Sequence, residues 1–392
     1  MSASKKLKID FVCAGDPLDI HTWSGTPFHM LQALGKEFDL GLVIRKPWRP
    51  GFPFFRRLIR RLSLGKIDLF WSRAWTRFGA GPTVEQLKRS DSDMVFVVAA
   101  TPICALLTGT NKTVFVSDAT QSAMVNYNPR HNALSANLKA SAAELETTSI
   151  SGSIAAFFPS RWAQASAIKD HAAAPDRAFQ VPWGANLPSV DIKPPEERSL
   201  DEWRILFVGV DWVGKGGDIA LKTAELLRDR GCRVHLDIAG CVPSTPPPTI
   251  EGVTFHGFLN KNVEADRDRL TGLFQNAHIL MLPTQFEALG VVVAEAASFG
   301  VPSISYDTGG VSGNFDPGKT GILLDTSAGP AEFANEINAL LSDRARYIDM
   351  AHAAADYSQR RLNWPAWAHE VATLLRQQWQ SERQREWGEQ AC

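Results

Sequence analysis

One order of patterns occurs twice in this chain, about two hundred residues apart, and restricts the fold more than any other feature. Near the N-terminus a β-type run, Lys8–Cys13, leads into a loop ending Trp23-Ser24-Gly25. A helical pattern over Thr26–Gly35 and a second strand over Phe38–Ile44 follow. The order recurs as strand Arg204–Val210, loop Asp211–Gly217, helix Asp218–Arg230 and strand Arg233–Ala239. Strand, glycine loop, helix and strand in that order open a doubly wound sheet, so the chain reads as two such α/β units.

The rest of the chain agrees with two units. Its 392 residues suit two domains. Between the copies, Leu187–Leu200 carries Pro188, Pro194, Pro195 and a charged cluster, the composition of an exposed linker. Further strands are predicted at Asp93–Ala99, Thr113–Ser117, Ile154–Pro159, Val253–His256, His278–Leu282 and Pro302–Tyr306, interleaved with helices. The expected organisation is two Rossmann-like doubly wound domains facing a cleft. Residues 1–187 form the first, 188–200 the linker, 201–360 the second, and 361–392 a last helix. The cleft is the default site.

Composition excludes several classes. A net charge of −1 gives no global pull toward nucleic acid or membrane. Five scattered cysteines with no C-x-x-C pair fit free thiols in a reducing compartment, not a disulfide frame or zinc site. The lysines before Lys8 precede no apolar run, so no secretory signal is expected. Met94–Leu107, broken at Thr101-Pro102, is too short to span a bilayer. A cytoplasmic protein is expected.

Chemistry concentrates in Pro283–Ser303. A buried strand ends in a loop carrying Glu287 and Ala288, and a helix begins near Gly290 and closes at Gly300. Glu287 thus falls at the carboxyl end of a strand, where open α/β sheets bind ligands. Glu295 shares a helix face with Val291. The amides around Leu289, Gly290 and Val291 form a helix N-terminus, which attracts phosphate. In Phe207–Asp218, glycines 209, 214, 216 and 217 let backbone approach a diphosphate, and Lys215 supplies a cation. Gly25 precedes Thr26, a fair N-cap, and Pro27. Asp118 ends another strand, either near a ligand or as a helix cap. His21 and His29 are as well explained by structure as by catalysis.

These segments resemble the retaining glycosyltransferases of the large family four. Glu287 and Glu295, followed by Ala296–Pro302, look like its donor-site signature. The match continues through Asp307–Val311 and Gly318–Leu324, and the Trp23–Pro27 loop is similar to its N-terminal glycine loop. The resemblance implies a GT-B fold and a retaining transfer from a nucleotide-diphosphate sugar to a glycan, lipid-linked or small-molecule acceptor. It implies that Glu287 meets the donor sugar and Glu295 the ribose, that Lys215 meets the diphosphate, and that Asp118 lies near the sugar. Gly25, Thr26, Gly209, Gly216, Phe258, Ala288, Leu289, Gly290 and Val291 complete the implied donor contacts. It also implies that the last helix, near Trp364–Trp379, crosses back to the N-terminal domain. The expected co-substrate is the nucleotide sugar itself, with no other cofactor. Two departures stand out: Val210 where an arginine is common, and Ser312-Gly313 where Pro-Glu is common. They motivate one alternative, a non-catalytic GT-B binding module; a nucleotide-sugar epimerase or hydrolase on the same fold is another.

Asp91-Ser-Asp93 spells a metal-binding D-x-D, but it precedes a strand instead of following one, and Asp266-Arg-Asp268 reads as a charged helix. No metal is expected. Within Arg45–Lys66, Phe54, Phe55, Leu58, Ile59 and Leu62 fall on one helical face, with Arg56, Arg57, Arg60 and Arg61 on the other. Such a helix either lies peripherally on an anionic membrane, at the inner face, or packs its apolar side on the first domain. Packing is the slightly favoured reading.

Overall fold

Short apolar runs without alternation, such as Met94–Val98, belong to strands covered on both faces, and parallel sheets are built from them. The computed structural model describes residues 6–125, 127–188, 191–243 and 250–390. Its strands are β1 (Lys8–Cys13), β2 (Asp39–Ile44), β3 (Met94–Val98), β4 (Thr113–Val116), β5 (Ala155–Phe158) and β6 (Ala178–Gln180). The second set is β7 (Trp203–Val208), β8 (Val234–Ala239), β9 (Val253–Gly257), β10 (Ile279–Leu282), β11 (Ser303–Tyr306) and β12 (Gly321–Leu324). They form two six-stranded sheets, ordered β2-β1-β3-β4-β5-β6 and β12-β11-β10-β7-β8-β9, with parallel pairing throughout. The fold is therefore the expected pair of Rossmann-like domains. β6 escaped the sequence reading because its three residues include no β-branched side chain.

The chain divides into two compact units, Met1–Val181 with Trp364–Cys392, and Pro182–Asn363. In the second, alternate residues of each buried strand feed opposite cores. Ile205, Phe207, Ile238, Met281 and Ile304 face the helices Gly217–Asp229 and Pro330–Leu341. Leu206, Leu280 and Leu282 pack with Phe274 and Phe299 on the other side. The strand order places β7 beside β10, with later strands running outward from β10 and β8 and β9 from β7. That adjacency is the topological switch point, where the loops after the two central strands diverge and leave a crevice.

In the first unit, helices α1 (Thr26–Glu37), α2 (Phe52–Leu62) and α3 (Arg73–Lys88) follow in order. The last helix, Trp364–Gln390, packs on α1. Trp367, Val371 and Leu375 are buried, His29 stacks on Trp364, and Arg376 pairs with Glu37 at 3.2 Å. Two expectations change. α2 does not pack its apolar face: only Phe52 is buried, while Phe54 is 70% and Leu62 72% exposed. Arg56 leaves the solvent side to bond the buried Asp68, with Nε–Oδ1 at 2.6 Å. Among the described residues, no helix is long and apolar enough to cross a membrane.

The proline-rich stretch after Leu187 is more than an exposed linker. Arg198 is buried and donates to the carbonyls of Phe299 (2.6 Å) and Gly300 (2.9 Å) and to the Tyr347 hydroxyl (3.3 Å). Arg198→Met should orphan those carbonyls and destabilise the second unit by about 3 kcal/mol. A fall of roughly 6–12 °C in its melting midpoint is expected by calorimetry. An unchanged midpoint would contradict the anchoring role.

Candidate functional site

The loops after β7 and β10 meet at the switch point of the second sheet. After β7 the chain passes Gly209, Val210 and Asp211 into a single helical turn, Trp212–Lys215, then Gly216 and the helix Gly217–Asp229. Trp212 pins the turn: its ring packs near Phe207, and its Nε1 donates to Asp218 Oδ1 at 2.9 Å. Gly216 has φ of 79°, and a Cβ there would stand 2.2 Å from the Pro283 carbonyl oxygen. Only glycine tolerates both the left-handed backbone and the approach. The approach lets the loops bond: Gln285 N and Thr284 Oγ1 each donate to Gly214 O at 3.2 Å.

Lys215 and Glu287 form an ion pair across this junction, Nζ to Oε2. The sequence reading assigned them separate tasks; the structure joins them. Gly290, in the left-handed region at φ 77°, caps the helix Val291–Ser298, so the amides following Leu289 start at the carboxyl edge of β10. A third segment braces this loop. Gly310 N donates to Glu287 O at 3.2 Å, and Asn314 Nδ2 donates to Leu289 O at 2.6 Å. Asn314 follows the Ser312-Gly313 departure and takes up a loop-supporting part that the sequence reading missed. The backbone at Lys215, Gly216, Ala288, Gly290 and Val291 is therefore brought together as one cradle.

Glu295 is 2% exposed and pairs with Lys261 in the loop after β9. Lys261 lies 34 residues from its partner, a separation no local pattern flags. Phe258, in the same loop, is 62% exposed. Val210 is 72% exposed and brings no charge to a position where an arginine is common in the resembled family.

In the first unit, Trp23, Ser24 and Gly25 all take positive φ, 48°, 60° and 90°. Such backbone costs about 1–3 kcal/mol per non-glycine residue and persists only where its surroundings impose it. The left-handed run ends at Gly25, which becomes the N-cap, so Thr26 is the first helical residue and its side chain makes no cap. This corrects the expected N-cap. Asp118 follows β4, but Thr120 supplies the cap of the next helix by accepting from Ala123 N at 3.0 Å. Behind that turn lies a residue with no sequence signal: buried Glu146 accepts Gln121 N–H at 2.6 Å, and desolvation pushes its carboxyl up to about 8. Asp93 accepts the Lys8 amide and Asp91 pairs with the Lys8 ammonium, at the amino end of β3. Among the described residues there is no cluster of three or more His, Cys, Asp or Glu able to hold a metal.

Residues 202–343 match the family described as Glycosyl transferases group 1. A D-inositol 3-phosphate glycosyltransferase of Paenarthrobacter aurescens is 26% identical over 201 residues, covering 45% of this chain and 49% of that protein. An alpha-D-kanosaminyltransferase of Streptomyces kanamyceticus is 26% identical over 191 residues, 46% of this chain and 48% of its own length. The chain spans about half the length of the curated relatives it matches. Among solved structures, sucrose-phosphate synthase from Thermosynechococcus elongatus has a TM-score of 0.68 at 16% identity, over 96% of this chain and all of that one. Anabaena Alr3699/HepE in complex with UDP-glucose has a TM-score of 0.63 at 13% identity, over 95% of this chain and all of that one. Both likenesses extend the shared fold over both units. The part of the chain that matches the glycosyl transferases group 1 model, residues 202–343, is thus the part that carries the Lys215–Glu287 junction.

Proposed function

We propose that the chain is a retaining glycosyltransferase that takes its sugar from a nucleotide-diphosphate donor. The observation that carries this reading is the Lys215–Glu287 pair, set at the switch point beside the N-terminus of the helix Val291–Ser298. That arrangement offers a cation and oriented amides to a diphosphate and a carboxylate to sugar hydroxyls. The Anabaena neighbour, solved with UDP-glucose, is consistent with this class of donor.

In this reading Lys215 and the Gly290–Val291 amides stabilise the charge that grows on the departing diphosphate. Glu287 orients the sugar, and Glu295, fixed by Lys261, receives the ribose hydroxyls. The acceptor hydroxyl attacks the anomeric carbon on the face from which the diphosphate leaves. Its proton passes to the leaving phosphate oxygen, so no protein nucleophile is required. Phe258 approaches the base. The reaction uses no metal.

The rest of the reading concerns membrane. Arg45–Lys66 holds eight basic residues and no acidic one in a chain of net charge −1, and α2 shows its apolar face to solvent. A peripheral contact with the anionic, inner face of a membrane follows from that combination, and with it a lipid-borne acceptor.

Lys215→Ala should weaken UDP binding roughly ten- to a hundredfold, because a charge-assisted bond worth ~1.5–3 kcal/mol is lost. Glu287→Gln should lower transfer while UDP binding stays nearly unchanged. Both are to be measured in excess chelator, where wild-type turnover should persist. If Glu287→Gln weakens UDP as much as Lys215→Ala does, the sugar pocket lies elsewhere.

Replacing Arg57, Arg60 and Arg61 with Gln, and leaving Arg56 on Asp68, should abolish sedimentation with phosphatidylglycerol vesicles. Unchanged sedimentation would end the membrane reading.

A further inference from the structure

β1 and β2 lie side by side and end at Cys13 and Ile44. Beyond their carboxyl ends, between the Ala14–Asp16 loop, the Arg45–Gly51 segment, the start of α2 and α3, lies a cavity of about 720 Å³. That is the size of a small-molecule pocket, at the strand edge where open α/β sheets take ligands. The residues that line it all belong to the first unit.

Its floor is aromatic and fixed. Trp48 and Phe52 stack, with centroids 5.1 Å apart and planes 13° from parallel, and Trp48 Nε1 donates to Ala14 O at 2.9 Å. Gly79 of α3 makes room for this floor: a Cβ there would stand 2.8 Å from the Phe52 ring. Its rim is cationic. Arg45 is committed to Asp16 at 2.9 Å, and that bond holds the Asp16 carboxyl below its usual range. Arg56, which also lines the cavity, is committed to Asp68. Lys46 and Arg49 are exposed, and among the described residues neither pairs with a carboxylate. Arg49 Nε donates to Phe78 O at 2.9 Å, and the guanidinium lies over the Phe78 ring at 5.4 Å.

From Phe78 an aromatic ladder leads out of the cavity. Phe78 meets Trp75 at 5.9 Å, and Trp75 meets Phe55 of α2 at 5.8 Å. All three rings are substantially exposed. The rim cation Arg49 therefore stands at one end of an apolar track whose other end is the exposed face of α2. A nucleotide or free sugar phosphate has no use for such a track; a molecule with a charged head and a hydrocarbon tail does.

We propose that this cavity binds the phosphate-bearing head of an amphiphile. The phosphate sits between Lys46 and Arg49, the rest of the head lies on Trp48 and Phe52, and the chain follows the Phe78–Trp75–Phe55 ladder. On the glycosyl-transfer reading above, that amphiphile is the acceptor.

Calorimetry on the full chain tests it, with dihexanoyl phosphatidic acid below its micellar limit, inorganic phosphate and UDP as separate titrants. The amphiphile should bind at least tenfold more tightly than inorganic phosphate. Lys46→Gln with Arg49→Gln should weaken it at least tenfold. Arg73→Gln with Arg77→Gln, the same charge change outside the cavity, should leave it within twofold. Equal losses in the two double variants would show a diffuse field instead of a site. Phosphate binding as tightly as the amphiphile would show a plain anion site, and no binding to the wild-type chain would remove the site; each overturns the proposal. UDP binding that persists while the amphiphile fails sinks the cavity alone. UDP binding that fails sinks the donor reading and leaves the cavity standing.

Discussion

The close passage of Gly216 against the Pro283 carbonyl is the contact on which the second unit's chemistry depends. Any side chain at position 216 would force the loops after β7 and β10 apart by the width of a methyl group or more. The bonds from Thr284 and Gln285 to Gly214 would break, and Lys215 would lose its reach to Glu287. A cation and a carboxylate that follow two different strands are thus held together by backbone packing. The brace from Asn314 and Gly310 keeps the carboxylate side equally fixed. Preorganised charge of this kind need not reorganise when a diphosphate begins to leave.

The first unit is built on the same kind of sheet but spends its irregularity differently. Its strand order puts the switch point between β1 and β3, and the loop after β1 carries three successive left-handed residues. Its second helix leaves an apolar face in solvent beside a cationic cavity. Phe54, Phe55, Leu58 and Leu62 are all exposed there, and apolar side chains grouped on one helix face are candidates for a contact surface. A chain with net charge −1 concentrates eight cations in Arg45–Lys66, and the proposed anion-bearing partner rests on that coincidence.

Much of this was legible in the sequence, for a physical reason. Buried parallel strands are short apolar runs, so β1, β3, β7, β8 and β10 emerge within a residue or two of their expected bounds. Glu287 and Lys215 were legible because each follows its own strand directly. What pairs with them was not. Lys261 reaches Glu295 from 34 residues away, and Glu146 supports the turn after Asp118 from a helix 25 residues beyond Gln121. Such partners are set by the tertiary fold, and no periodicity announces them. Burial was the other blind spot. The α2 pattern suits packing as well as exposure, and only the placement of α3 and Phe52 decides between them. The Arg198 anchor was hidden for the same reason, since a proline-rich charged stretch looks solvated whatever one of its arginines does.

The central claim is that Lys215 and Glu287 act on a diphosphate as one coupled unit. A double-mutant cycle on UDP affinity isolates that coupling, using the wild-type chain, Lys215→Ala, Glu287→Gln and both together. With Lys215 gone, Glu287 is left as an unpaired carboxylate facing the diphosphate; with both changed, that repulsion vanishes. The account predicts that Lys215→Ala costs severalfold less affinity in the Glu287→Gln background than in the wild type. Additive losses, equal in both backgrounds, would contradict it.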